Sequence, residues 1–150
     1  MTINFFDEKL ESTSKEPVLR IRSEFTECGE WGGHDEYLVV SKKDKNSFKL
    51  NYEKYDVNCD SMIQVYDGLG YVLNPKRKLI TSKEIEITSK EKQAILDFSI
   101  DMVKSKFREE YSGHSGISLS IVNSDSTFFI STYGGGESHY LKLINALNLN

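Results

Sequence analysis

A chain of 150 residues with a net charge of -4, 38% hydrophobic and 28% charged, has the size and composition of one globular domain. It is too apolar for a wholly disordered polymer and long enough to fold without a metal or disulfide. Its acidic balance repels phosphate backbones, so nucleic acid is not an expected partner; no apolar run approaches the roughly 20 residues that span a bilayer, so a membrane is not expected either.

Residues 1–16 mix Phe5, Phe6 and Leu10 with charge and a Ser-Thr-Ser run. They read as a short helical turn and a loose N-terminal arm. They lack the basic start and apolar core of a secretory signal, which makes the cytoplasm the expected location. There Cys28 and Cys59 are expected to be reduced, packed thiols. From Pro17, residues Val18 to Thr26 alternate Val18, Arg20 and Arg22 with Leu19, Ile21 and Ser23, the two-residue period of a half-buried strand.

A Gly-rich loop, Cys28 to Asp35, is followed by strands at Tyr37–Ser41 and Phe48–Tyr55, with a hairpin turn at Lys43-Asp44-Lys45-Asn46. Short strands at Met62–Tyr66 and Tyr71–Leu73 flank Asp67-Gly68, a hairpin signal, and Asn74-Pro75 reads as a further turn. Ser89–Arg108 is the main helix. Thr88 and Glu91 have capping-box spacing, and Ile95, Phe98 and Met102 form an apolar stripe beside Leu96, Ile100, Val103 and Phe107. Strands at Ile117–Val122 and Thr127–Thr132 follow. After Gly134-Gly135-Gly136, Ser138 is placed to cap a final helix ending near Leu147. Consecutive strands with short turns imply antiparallel pairing. The expectation is a single α+β domain: a mainly antiparallel sheet with one long helix packed on it and a shorter C-terminal helix.

Glu24, Glu27, Glu30, Asp35 and Glu36 fall within thirteen residues that contain no Lys or Arg. Together with Trp31, the single tryptophan, they form a candidate contact surface for a basic protein partner, with the aromatic as anchor and the charges steering approach. The plain alternative is a solvated strand end with Trp31 folded over the core edge. The segment Cys28-Gly29-Glu30-Trp31-Gly32-Gly33-His34 resembles one in small uncharacterised bacterial proteins. The resemblance covers this segment and, loosely, the strands after it, and implies no activity, cofactor or partner.

A three-stranded meander brings Cys28, His34 and Cys59 to one edge. Three such ligands suit zinc, with Asp35 or a water as the fourth, although the spacing matches no recognised zinc pattern. A Cys28–Cys59 disulfide instead requires Cα atoms within about 7 Å and an oxidising compartment. His114 and His139, with Glu137, form a second candidate cluster for acid–base or metal chemistry. Asp56 to Asp67 partly matches a calcium loop but has Ser61 where the sharp turn needs glycine. A Cys28–His34 nucleophile pair lacks an orienting third group. No catalytic residue is therefore assigned. The expected function is that of a non-enzymatic acidic binding protein of the inhibitor or immunity type, with a metal-binding protein using the Cys/His edge as the alternative.

Overall fold

The computed structural model describes residues 5–6, 17–66, 68, 70–108 and 117–150. Most of the expected N-terminal arm, together with Asp67 and His114, lies outside the described residues. The strands are β1 (Pro17–Glu24), β2 (Asp35–Lys42), β3 (Phe48–Tyr66), β4 (Tyr71–Ile87), β5 (Ser118–Asn123) and β6 (Phe129–Tyr133). The helices are α1 (Ser89–Arg108) and α2 (Glu137–Ala146). Among the described residues the strands form one six-stranded sheet in the order β4-β3-β2-β1-β5-β6. Every neighbouring pair is antiparallel. The architecture is the expected α+β.

Alternation sends Leu19 and Ile21 of β1, Leu38 and Val40 of β2, Leu50 and Tyr52 of β3, and Leu119 and Ile121 of β5 to one buried face. Ile95, Phe98 and Met102 of α1 and Tyr140, Leu143 and Ile144 of α2 complete the core. Phe5 and Phe6 are buried as well. Phe5 packs edge-on against Phe128 and Phe6 against Phe48, at centroid distances of 5.1 and 5.3 Å. The Lys92 ammonium lies 4.9 Å from the Phe48 ring centroid, a cation–π contact at the first turn of α1.

Local chemistry explains the helix starts. At α1 the Thr88 backbone N–H donates to the Glu91 carboxylate at 2.9 Å, and the Thr88 hydroxyl donates to the same group. This is half of a capping box, with the hydroxyl turned to the carboxylate rather than to the backbone. α2 starts at Glu137, its N-cap being Gly136 in the left-handed conformation (φ 88). Ser138 is inside the helix and is not the cap. A side chain at Gly136 would press on Leu119 and Met102, so glycine serves both the backbone angle and the packing.

The largest departure from expectation is the β3–β4 pair. The expected strands Phe48–Tyr55 and Met62–Tyr66 are parts of one 19-residue strand, and the expected Tyr71–Leu73 is the start of one of 17 residues. Asn74 and Pro75 lie within β4 rather than in a turn. Proline is tolerated because β4 is an edge strand, where a missing N–H need not break the ladder. Residues Asp56 to Tyr66 lie in β3, so the segment is extended and does not form a calcium loop. Asn58 pairs with Lys76 but the next pair is Met62 with Pro75. Cys59, Asp60 and Ser61 therefore bulge out of the ladder.

Candidate functional site

The loop between β1 and β2 carries the Cys28–His34 segment. Its own backbone shapes it: Phe25 N–H donates to the His34 carbonyl at 2.9 Å, and Cys28 N–H to the Gly32 carbonyl at 2.7 Å. Gly29–Trp31 makes one 3-10 turn. Gly33 is required for space. A Cβ there would sit 2.5 Å from the Phe25 carbonyl oxygen and 2.7 Å from the Glu27 nitrogen, and would overlap the Glu27 carboxylate.

Three attachments pin this loop. First, Cys28 and Cys59 form a disulfide, with Cα atoms 5.4 Å apart. The meander does bring the cysteines together, as expected, but as a bonded pair and not as packed thiols. The bulge in β3 frees Cys59 from the ladder for this bond. With their sulfurs joined, Cys28 and Cys59 are not thiolate ligands, and the Cys28–His34–Cys59 zinc edge is not formed. Among the described residues no group of three or more His, Cys, Asp or Glu side chains is arranged to hold a metal ion.

Second, Arg77 of β4 reaches back to the loop. Its Nε donates to the Gly33 carbonyl at 3.0 Å and lies 3.0 Å from Asp35 Oδ2. Arg22 approaches the other Asp35 oxygen at 3.4 Å and pairs with Glu24 at 2.7 Å. Asp35 is thus buried between two guanidinium groups.

Third, His34 sits between two carboxylates. Its Nδ1 is hydrogen-bonded to Glu27, and its Nε2 lies 3.2 Å from Glu36 Oε1. Its backbone N–H donates to Glu27 Oε2 at 3.0 Å, and its ring stacks on Phe25 with a centroid distance of 3.9 Å. Burial opposes the imidazolium, but hydrogen bonds to Glu36 and Glu27 outweigh it and hold the His34 pKa above its ordinary value. The charged ring then donates from both nitrogens.

Glu36 is the centre of this network. The Tyr140 hydroxyl donates to its Oε2 at 2.6 Å, Tyr52 also hydrogen-bonds to it, and Lys54 Nζ lies 3.4 Å from its Oε1. Burial penalises the carboxylate, yet hydrogen bonds from His34 and Tyr140 and the Lys54 charge prevail and hold its pKa at about 2. The same proximity, added to burial, pushes the Tyr52 and Tyr140 hydroxyls up.

The six residues of the proposed acidic contact surface therefore separate. Asp35 and Glu36, only 4% and 5% exposed, are internal. Their burial excludes them from a contact surface, and inside the fold their charges face Arg22, Arg77, His34, Lys54 and the tyrosines. Glu30 and Trp31 stand at the exposed tip of the loop, Trp31 at 46% exposure. Glu27 is exposed beside His34, and Glu24 is partly exposed beside Arg22. His139 lies elsewhere, its Nδ1 3.5 Å from Asp101 between the helices. A cavity of about 360 Å³ opens beside Arg22, Glu24, Ser118, Ser120 and Tyr133, and neither His34 nor Glu36 lines it.

Some of these partners are legible from local pattern. The turn at Lys43–Asn46 sets the β2–β3 register, which puts Lys54 opposite Glu36. Arg77 and Tyr140 carry no such signal, because each comes from an element remote in sequence. No protein-family model, no curated protein and no solved structure matches the chain.

Proposed function

We propose that the chain is a non-enzymatic binding protein, of the inhibitor or immunity type, that covers a basic protein partner. The contact surface is the tip of the β1–β2 loop: Trp31 is the anchor, with Glu24, Glu27 and Glu30 around it. The observation that carries this reading is a tryptophan left 46% exposed on a loop fixed by a disulfide, by Arg77 and by the His34 network. A large aromatic on a preorganised loop loses little conformational freedom on binding, and tryptophan is enriched among the residues that dominate interface energies. The exposed carboxylates add long-range attraction for a basic surface.

The disulfide supports action in an oxidising compartment rather than in the cytoplasm, where thiols are kept reduced. The test is a titration against the partner identified from host cells. Trp31→Ala should weaken binding by about 30-fold or more, corresponding to roughly 2 kcal/mol. Glu30→Lys should slow association and reduce its salt dependence. Unchanged affinity and association rate in both variants, with the fold intact, would reject this surface.

A further inference from the structure

The face of the sheet turned away from the helices holds a trough at one corner. Ile21, Leu119 and Ile121 point into the core. Alternation therefore places Arg22 and Glu24 of β1, Ser118 and Ser120 of β5, and Ser131 and Tyr133 of β6 on the other face. The register sets them in two rungs across three strands, Arg22–Ser120–Ser131 and Glu24–Ser118–Tyr133. Serine is short and its neighbours are long. The floor is thus low between Arg22 and Glu24 on one side and Tyr133 on the other, and a cavity of about 360 Å³ opens there. Lys106, in the last turn of α1, borders it as well. The volume is at the small end of ligand sites.

The lining selects the chemistry of an occupant. The Arg22 guanidinium is paired with the Glu24 carboxylate at 2.7 Å. An anion drawn to Arg22 would sit against Glu24, and a cation drawn to Glu24 would sit against Arg22 and Lys106. An apolar ligand would strip water from three serine hydroxyls and an ion pair and replace none of its hydrogen bonds. What fits is a neutral molecule dense in hydroxyl groups. Each of its hydroxyls can accept from Arg22 or Lys106, donate to Glu24, or do either with a serine. Hydrogen bonds to charged groups are the stronger ones. The Tyr133 ring, 56% exposed, adds a flat apolar wall. A sugar ring has both matching sides, a rim of hydroxyls and a face of C–H groups.

We infer that this trough binds a saccharide, seating one neutral pyranose unit with its hydroxyls on Arg22, Glu24 and the serine floor and its C–H face on Tyr133. The site is open and small, so a single sugar is held weakly, with a Kd in the millimolar range. The inference is independent of the Trp31 reading. Glu24 is the one residue common to both surfaces, and the variants below leave it in place.

NMR of the backbone amides tests the inference, with glucose, galactose, mannose and N-acetylglucosamine each titrated through the millimolar range. At least one sugar should give saturable shifts at Ser118, Ser120, Ser131 and Tyr133. Ser120→Val removes a floor hydroxyl and should weaken that binding about ten-fold, the scale of one lost hydrogen bond. Ser131→Tyr, at an exposed position, should abolish it by filling the trough. Amide shifts far from the trough report that both variants are folded. Inorganic phosphate, titrated in parallel, should leave the trough unshifted. No saturable shift from any of the sugars, binding indifferent to both variants, or phosphate bound in place of a sugar would each overturn the inference.

Discussion

The Tyr140 hydroxyl donates a 2.6 Å hydrogen bond to the Glu36 carboxylate, joining α2 to β2 across 104 residues of chain. Both groups are buried, so neither has water to fall back on. Tyr140→Phe should cost roughly 1–3 kcal/mol, the range for a lost hydrogen bond to a charged group. Urea unfolding of the two proteins measures this directly. Equal midpoints would mean that the network contributes nothing through this bond.

The network also makes stability depend on pH at both ends. The folded-state pKa of Glu36 is about 2, lowered from 4.5. Its contribution is therefore present above about 4.5 and disappears as pH falls through about 2. The folded-state pKa of His34 is raised from 6.5. Its contribution is present below 6.5 and disappears as pH rises through the raised value. Urea midpoints measured across pH should fall on both sides. Glu36→Gln should flatten the acid limb and His34→Gln the alkaline one. An unchanged alkaline limb in His34→Gln would remove the imidazolium from the account.

Gly33→Ala tests how tightly the loop is built. The new methyl would lie 2.5 Å from the Phe25 carbonyl oxygen and would overlap the Glu27 carboxylate. Backbone must move to admit it, at roughly 1–3 kcal/mol, the usual cost of overpacking. The nearby Trp31 reports the shift by fluorescence. An unchanged spectrum with unchanged stability would show a loop looser than described.

The Cys28–Cys59 bond closes a sequence separation of 31 residues. Removing it should destabilise the fold by about 2–4 kcal/mol, chiefly by freeing the unfolded chain. Unfolding with and without a thiol reductant, compared with the paired Cys28→Ser and Cys59→Ser variant, measures that cost. Identical unfolding under all three conditions would contradict it.

How far these features could be read from sequence follows the range of the interactions. α1 has the expected bounds, because its apolar stripe and the Thr88–Glu91 pair are local signals. The β1-β2-β3 meander is legible from two-residue alternation and one turn, and it brings Cys28 near Cys59. The oxidation state of the pair has no local signal, and the expectation of reduced thiols followed from the expected compartment. β4 reads as a turn at Asn74–Pro75 because an edge strand obeys weaker rules than a central one. Asp35 and Glu36 read as surface charge because their compensation comes from Arg77 and Tyr140, distant in sequence. A buried carboxylate looks like an exposed one until its partners are placed.

The claim that Trp31 anchors a basic partner is tested most directly by native mass spectrometry of the wild-type chain and of Trp31→Ala, each isolated gently from host cells and each shown to be folded. The account predicts a complex with a basic protein in the wild type, and its loss or marked depletion in Trp31→Ala. The same partner held equally by both proteins, or no partner on either, would contradict it.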